Sequence, residues 1–188
     1  MTTARPAPLT VSGALLVGLV ANGLAGCQVA PKTSWTEPLQ AMNQPVDLNR
    51  FMGEWRVIAH IPTFIEKQAY NAVERYELSP DGTIATTYTF NKGDFDGPLK
   101  TYRPKGFVHN HETNAEWRMQ FVWPFKAAYL ILYLDEHYET TVVGVPDRDY
   151  VWIMARSKTI PENRYDELLG LLAETGHDLS KLRRVPQR

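Results

Sequence analysis

The sequence predicts an all-β domain: an eight-stranded antiparallel up-and-down β-barrel with one C-terminal α-helix packed on its outside. Three observations indicate this fold. Eight short segments between positions 53 and 156 alternate apolar with polar residues, as half-buried strands do. The connections between them are too short for the crossovers that parallel strands need. A single stretch with helical spacing follows the last strand. Closing the sheet into a barrel would remove its exposed edges.

The first strand is predicted to follow a single helical turn. Phe51 belongs to that turn, and Gly53 lets the chain bend closely where the strand begins. Trp55 is the first large inward residue of the strand. The strand ends at Ile61, because Pro62 has no backbone donor for the sheet. The other seven strands are predicted, in chain order, at 72–78, 83–91, 100–109, 115–122, 127–134, 139–145 and 150–156.

The C-terminal helix is predicted from apolar residues at helical spacing. Pro161 lies at its entry and Gly176 ends it. The apolar residues that share one face are Tyr165, Leu168, Leu169, Leu171 and Leu172. One amphipathic face predicts that this helix packs on the outside of the barrel.

The N-terminal segment has the pattern of an export signal. Arg5 is followed by an apolar stretch of modest length, and Leu24-Ala25-Gly26-Cys27 looks like a bacterial lipobox. A lipobox predicts that Cys27 is acylated and becomes the first residue of the mature chain. The alternative is an ordinary signal with a chance cysteine. Cys27 is the only cysteine, so it cannot form an internal disulfide.

These patterns predict three parts of the chain. Residues 1–27 form a lipoprotein signal peptide, residues 28–44 a flexible tether rich in Pro, Thr, Ser and Gln, and residues 45–188 the barrel with its helix. Several acyl chains on one residue are enough for stable membrane attachment. Gln28 follows the cysteine where Asp would resemble an inner-membrane retention signal. The expected location is therefore the periplasmic side of the outer membrane.

Three sequence blocks resemble the lipocalin family, in particular its bacterial outer-membrane lipoproteins and apolipoprotein D. They are Gly53-Glu54-Trp55, Pro124-Phe125, and the stretch 144–153 that precedes Arg156. The resemblance implies that Gly53, Trp55 and Arg156 meet at the closed end of the barrel in a structural role. It also implies a fatty acid or a lysophospholipid as ligand.

The alternation of the strands predicts which side chains line the barrel cavity. An eight-stranded barrel encloses room for about one small ligand. The predicted inward sets also include Ala72, Leu78, Tyr133, Tyr150 and Met154. The predicted ligand-binding residues are Glu74, Tyr76, Tyr88, Trp117, Met119, Phe121, Tyr129, Ile131 and Trp152. The predicted function is binding, storage or transport of a lipophilic ligand. The alternative is that these side chains fill a solid core in a structural or protein-interaction lipoprotein.

Glu74 is the unusual member of the inward set, because an ionised carboxylate in an apolar cavity is costly without compensation. Three arrangements are open. Arg148 could hold the carboxylate charged, or Glu74 could lie near the opening and favour lipids that carry an ammonium, such as lysophosphatidylethanolamine, over free fatty acids. The register could also be shifted by one residue, which would turn Glu74 to solvent.

Other classes of function find little support in the sequence. A net charge of −1 does not predict nucleic acid as a partner. His109, His111 and Glu112 fall at a predicted turn without a fourth ligand, so no metal site is predicted. No cofactor is expected, and no nucleophile has a credible histidine partner. A catalytic role would rest on Glu74 and the histidines alone. A homodimer is left open.

Overall fold

A computed structural model describes residues 35–188. The strands in chain order are β1 Gly53–Ile61, β2 Ala69–Leu78, β3 Thr83–Lys92, β4 Leu99–Tyr102, β5 Lys105–Val108, β6 Glu116–Val122, β7 Phe125–Leu134, β8 Thr140–Gly144, β9 Val151–Ala155 and β10 Arg183–Arg184. The helices are α1 Leu48–Phe51 and α2 Glu162–Glu174, and a 3₁₀ turn covers Leu179–Lys181.

The sheet closes on itself as the predicted eight-stranded antiparallel barrel. Pairing runs in the order β1, β2, β3, β5, β6, β7, β8, β9, and β1 pairs with β9 to complete the ring. The strand predicted at 100–109 is divided into β4 and β5, both of which pair with β3. The division falls at Pro104, which has no N–H to donate to a ladder.

The C-terminal tail takes part in the barrel wall, which the sequence did not predict. β1 pairs with β2 only through its first half, up to Arg56. Beyond it, Ala59 and His60 pair with β10 instead. The side-chain amide of Gln187 donates to the carbonyls of Val57 and Ala72, on the two strands that separate here. The tail therefore bridges the gap between β1 and β2.

Helix α1 closes one end of the barrel, as expected of the helical turn. The Asp47 side chain accepts hydrogen bonds from the backbone N–H groups of Asn49 and Arg50, a normal N-cap. The Asp47 N–H donates to the hydroxyl of Tyr138 at 2.8 Å. The helix thereby fixes Phe51, which is fully buried, inside the end of the barrel.

Two hydrophobic cores lie on either side of the barrel wall. The inner core lies inside the barrel, and the outer core lies between the wall and α2, which buries Tyr165, Leu168 and Leu172. The register shifts between Ile131 and Tyr133 at a bulge in β7. The inward prediction for Tyr133 is therefore wrong: it packs against the outer core, and its hydroxyl accepts a hydrogen bond from Arg164.

The segment predicted to be a flexible tether packs on the barrel from Leu39 onward. The Leu39 N–H donates to the carbonyl of Pro146, and the Met42 N–H donates to that of Ile131. Leu39 is buried. The tether prediction therefore does not hold for residues 39–44. Residues 28–34 and the predicted acylation site Cys27 lie outside the described residues. In the described range 35–188, no helix is both long and apolar enough to span a membrane.

Candidate functional site

The two ends of the barrel differ. At the closed end, α1 contacts the connections 109–115 and 135–139 through backbone and side-chain hydrogen bonds. The alternating strand directions bring the connections 62–68, 93–98, 123–124 and 145–150 to the opposite end. We call the connections of this opposite end the mouth and the space inside the barrel the lumen.

The closed end is fastened by Gly53, Trp55 and Arg156. The Arg156 guanidinium lies 3.7 Å from the Trp55 ring centre. Its N–H groups donate to the backbone carbonyls of Arg50, Phe51, Glu54 and Tyr138. Gly53 has a φ of +97°, a backbone conformation that residues with a side chain rarely adopt, which explains the glycine. These contacts are structural: they tie α1, β1 and the end of β9 together.

Aromatic side chains fill the lower part of the lumen, next to α1. Trp117 and Tyr129 stack with ring centres 4.9 Å apart, and Phe51 meets Trp117 edge to face at 5.3 Å. The Tyr76 and Tyr129 hydroxyls are 2.7 Å apart. Tyr76 and Trp117 are completely buried. Of the predicted ligand-binding residues, Tyr76, Trp117 and Tyr129 thus form the floor of the lumen.

The inward side chains above this floor form the upper lumen. Trp152 and Tyr102 keep accessible surface while packing against the inner core. Tyr88 and Phe90 are adjacent inward residues of β3, with ring centres 5.4 Å apart. Met119 and Ile131 are also buried in the inner core. The upper lumen is therefore aromatic, as the strand alternation predicts.

Glu74 points into the lumen. The structure therefore excludes the one-residue register shift that would turn Glu74 to solvent. It is directly opposite Tyr88 on β3, and its carboxylate accepts a hydrogen bond from the Tyr76 hydroxyl. Burial, and secondly the charge of Glu66, raise the pKa of Glu74 to about 8. The residue nevertheless keeps accessible surface. We infer that its carboxylate borders unfilled space.

Arg148 does not pair with Glu74. Its Nε–H donates to the carbonyl of Thr175 at 2.7 Å, its Nη1–H donates to that of Glu37 at 2.9 Å, and its guanidinium lies over the Trp35 ring. These contacts tie the 145–150 connection to the end of α2. Within residues 35–188, no lysine or arginine forms an ion pair with Glu74.

Glu66 is a buried carboxylate that the sequence analysis missed. It lies in the 62–68 connection, and its Oε2 accepts hydrogen bonds from the backbone N–H and the hydroxyl of Thr63 at 3.0 and 2.7 Å. Its Oε1 accepts one from Nε1 of Trp152 at 3.1 Å. The Thr63-x-x-Glu66 spacing, the pattern of a capping box, was the signal that could have indicated an ordered turn here.

Buried polar atoms without hydrogen-bond partners lie close to these carboxylates. His60 of β1 is directly opposite Trp152, and its Nδ1 has no partner. Burial lowers the pKa of His60, while Glu66 opposes that shift. The Tyr88 hydroxyl is likewise unpartnered. Burial first, and then the nearby Glu66 and Glu74 carboxylates, raise the Tyr88 pKa well above its usual value. A buried polar atom left unpaired costs about 1–3 kcal/mol.

A cleft of about 570 Å³ lies at the mouth, beside these residues. That volume lies in the range of roughly 300–1,000 Å³ that is usual for ligand pockets. Phe64, Ile65, Phe90 and Tyr102 give it an apolar wall, while lysines contribute a basic rim. Those lysines are Lys67, Lys92 and Lys100.

Most of the exposed large apolar side chains among residues 35–188 lie at the mouth end. Phe64 is 84% exposed and Trp123 is 81% exposed. The turn between β6 and β7 exposes the run Phe121, Val122, Trp123 and Phe125. The prediction that Phe121 lines the lumen is therefore wrong, because the register shifts between Met119 and Val122 and releases Phe121 from the inward face.

Two further inward predictions fail for positional reasons. Leu78 is 40% exposed because it ends β2 beside the β2–β3 turn, and Tyr150 is 37% exposed because it precedes β9. His109 and His111 are exposed at the closed end. In the described part of the chain, no group of three His, Cys, Asp or Glu residues is placed to hold a metal ion.

Comparison with known proteins identifies the family. A family model described as a lipocalin-like domain matches residues 46–187. The chain belongs to the lipocalin family. This lipocalin is 31% identical to the outer membrane lipoprotein Blc of Escherichia coli over 92% of this chain and 97% of the relative. It is 30% identical to temperature-induced lipocalin-1 of Arabidopsis thaliana, over 76% and 80%. Apolipoprotein D of Macaca fascicularis is 27% identical, over 72% and 74%.

Solved structures agree with the lipocalin fold at lower sequence identity. The Per a 4 allergen of cockroaches superimposes with a TM-score of 0.61 and 14% identity, covering 80% of this chain and 94% of the allergen. Insecticyanin of the tobacco hornworm Manduca sexta gives 0.59 and 17%, covering 79% and 82%. At these identities the likeness shows the fold alone.

Proposed function

We propose that this lipocalin binds a long-chain lipid, a fatty acid or a lysophospholipid, in the upper lumen and carries or stores it. The observation that supports this most directly is the contrast within the barrel. The floor is filled by Trp117 and Tyr129, while the region of Glu74 and Trp152 retains accessible surface and adjoins the mouth cleft. A single acyl chain suits a space closed at one end and open at the other.

Burial of an acyl chain supplies sufficient binding energy. Each buried methylene contributes about 0.8 kcal/mol, so a chain of palmitate length gives on the order of 10 kcal/mol before the costs of association. The aromatic side chains of the upper lumen, Tyr88, Phe90, Tyr102 and Trp152, provide the apolar contact surface. The role we propose is binding, and the histidines at 109 and 111 lie at the other end of the barrel from this surface.

The proposed location is the periplasmic face of the outer membrane, with Cys27 as the acylated anchor. The lipobox supports this, and so does the similarity to lipoproteins named for the outer membrane in Escherichia coli, Citrobacter freundii and Vibrio cholerae. A membrane-attached lipid-binding protein would exchange its ligand with the bilayer beside it.

The mouth has the character of a surface that contacts lipid. Phe64, Trp123 and Phe125 expose most of their area there. Lys126 follows directly, and no acidic residue occurs between positions 117 and 134. Tryptophan next to lysine is favoured at membrane interfaces, so we propose that the β6–β7 turn dips into the headgroup region when ligand is loaded.

Native mass spectrometry of the purified full-length protein tests the lipid-binding function. The expected result is one bound lipid per chain, which palmitate or palmitoyl-lysophospholipid replaces after delipidation. A fluorescent fatty acid should gain intensity and be displaced by unlabelled palmitate. If neither ligand class binds, the filled-barrel alternative, a structural or protein-interaction lipoprotein, replaces this proposal.

A further inference from the structure

Four polar side chains form a band around the upper lumen, just above the aromatic floor. Glu66 enters from the 62–68 connection, Glu74 from β2, Tyr88 from β3 and His60 from β1. We call these four residues the polar band. Within the described chain, neither carboxylate has a basic partner, and two members keep a buried polar atom without a hydrogen bond.

We propose that the polar band binds the protonated primary amine of a single-chain amphiphile. This inference rests on the proposed function and specifies which polar group accompanies the acyl chain. Glu74 is directly opposite Tyr88 on β3, and Glu66 bonds to Trp152, the residue opposite His60. The two carboxyl groups thus reach the band from different elements, and a cation between them would meet both. An ammonium offers three donors and no acceptor. These donors match the unpartnered Tyr88 hydroxyl and His60 Nδ1 and the lone pairs that remain on the two carboxyl groups.

Other headgroups fit the band less well. A carboxylate or a phosphate would lie beside Glu66, and beside Glu74 once that residue ionises, where like charges repel. A hydroxyl could satisfy one acceptor but would leave the carboxylates without a counter-charge. The lysines that could receive an anion, Lys67, Lys92 and Lys100, stand at the mouth instead.

The position of the band also fixes the direction of the ligand. Below the band, Tyr76 and Trp117 leave no accessible surface. Above it, the mouth cleft is lined by Phe64, Ile65 and Phe90. The amine therefore enters first, and the hydrocarbon chain lies in the cleft towards the exposed apolar turn. A simple long-chain amine and the ethanolamine of a lysophospholipid carry the same ammonium, and the test separates them.

Binding of an ammonium should release a proton from Glu74. The titratable groups around Glu74 are Glu66 from the 62–68 connection, Tyr76 on β2, Tyr88 on β3 and Tyr129 on β7. Burial raises the pKa of Tyr88 and Tyr129, so both stay neutral near pH 7. His60 stays neutral because burial lowers its pKa.

With a pKa of about 8, the free Glu74 carboxyl is mostly protonated at pH 7. An incoming ammonium must displace that proton, so its affinity should rise by about fivefold from pH 7 to pH 8 and level off above about pH 9. Primary amines remain protonated in this range, with pKa values near 10.4. Palmitate should show the opposite slope, because an ionised Glu74 repels its carboxylate.

The test is competitive displacement of a fluorescent fatty acid from delipidated full-length protein at pH 6.5, about 7.5 and 8.5. Hexadecylamine and palmitate are compared at equal chain length. Palmitoyl-lysophosphatidylethanolamine is compared with palmitoyl-lysophosphatidylglycerol, which lacks the amine. If affinity rises with pH for hexadecylamine alone, the polar band binds simple amines. If the affinity of the ethanolamine lipid rises as well, and that of the glycerol lipid does not, the band also binds the ethanolamine headgroup.

Variants separate the band from the lumen as a whole. Glu74→Gln should weaken hexadecylamine binding by roughly ten- to a hundredfold, the loss expected for one hydrogen bond to a charged group, and should abolish its pH slope. Palmitate binding should persist, which also shows that the variant is folded. Glu77→Gln, on the same strand but exposed, is the matched control. If the parent protein binds palmitate but binds hexadecylamine no more tightly than palmitate at every pH, this inference alone is overturned. If the parent protein binds none of the ligands, the proposed function is overturned.

Discussion

The guanidinium of Arg156 lies 3.7 Å from the centre of the Trp55 ring and donates hydrogen bonds to carbonyls on α1, β1 and the β7–β8 connection. Trp55 itself is fully buried, and its Nε1–H donates to the Phe51 carbonyl at 2.8 Å. The pair therefore joins the first strand, the last strand and the closing helix at one point. Its position at the closed end separates it from the polar band.

Loss of this pair should destabilise the fold without altering ligand selectivity. Trp55→Ala should lower the free energy of unfolding by about 3–5 kcal/mol, as expected for a buried aromatic residue. Arg156→Ala should lower it by about 2–4 kcal/mol, because several carbonyls lose their donor. Arg156→Lys keeps the charge but cannot bridge these carbonyls, so it should recover only part of the stability that Arg156→Ala loses. Urea unfolding measures each value. A stable Trp55→Ala protein with selectively lost lipid binding would contradict this account.

Glu74 should make the stability of the free protein depend on pH. Its folded pKa of about 8 lies above the unfolded value of about 4.5, so the folded state retains a proton that the unfolded state has lost. The contribution of Glu74 to the free energy of unfolding is fully present below pH about 4.5. It declines up to pH about 8, by at most about 1.4 kcal/mol per pH unit. Glu74→Gln should remove this decline. Urea unfolding at pH 6 and about 8 compares the two proteins, and identical pH slopes would place the carboxylate in water.

Trp123 should enter the headgroup region of a bilayer. Bromine atoms on the acyl chains of lipid vesicles quench the fluorescence of any tryptophan that inserts into the bilayer. The exposed tryptophans are Trp123 and Trp35, whereas Trp55 and Trp117 are buried and Trp152 lies in the lumen. Trp123→Ser should remove most of the quenching, and the control Trp35→Phe should retain it. The opposite pattern would place the membrane contact near the N-terminal segment. If the protein instead forms a dimer in solution that Trp123→Ser abolishes, the apolar β6–β7 turn contacts a second copy of the chain.

Cys27 should carry the membrane anchor. Mass spectrometry of the mature protein should find an acylated N-terminal cysteine and no residues before it. Cys27→Ser removes the only cysteine, so its product should lack acyl chains and should not be recovered as a processed lipoprotein in the outer-membrane fraction. An unmodified Cys27 in the mature parent would mean that the segment is an ordinary signal with a chance cysteine.

The sequence predicted the barrel and the helix because strand alternation and helical spacing are local patterns. The same alternation placed Glu74, Tyr88 and Trp152 on the inward face. It failed for Phe121 and Tyr133, because the register shifts across Phe121 and just before Tyr133 and thereby changes which side of the strand each residue faces. No local signal marks such an insertion, since its position depends on the register of the neighbouring strand.

Glu66 and His60 illustrate a second limit of sequence analysis. Glu66 lies in a connection, where a carboxylate is usually exposed, and only the packing of that connection over the lumen turns it inward. His60 follows the irregularity between Val57 and Ala59, so simple alternation along β1 gives it the wrong side. The polar band thus depends on tertiary contacts, whereas the aromatic wall follows from the strands alone.

The position of bound lipid tests the central claim most directly. A palmitate analogue with a photoreactive group on its chain is irradiated with the full-length protein, and the labelled residues are mapped by mass spectrometry. We expect labels on Phe64, Tyr88, Phe90, Tyr102 and Trp152, lost in excess unlabelled palmitate. Labels confined to the exposed face of α2, at Asp166, Gly170 and Ala173, or unaffected by competition, would contradict a ligand in the lumen.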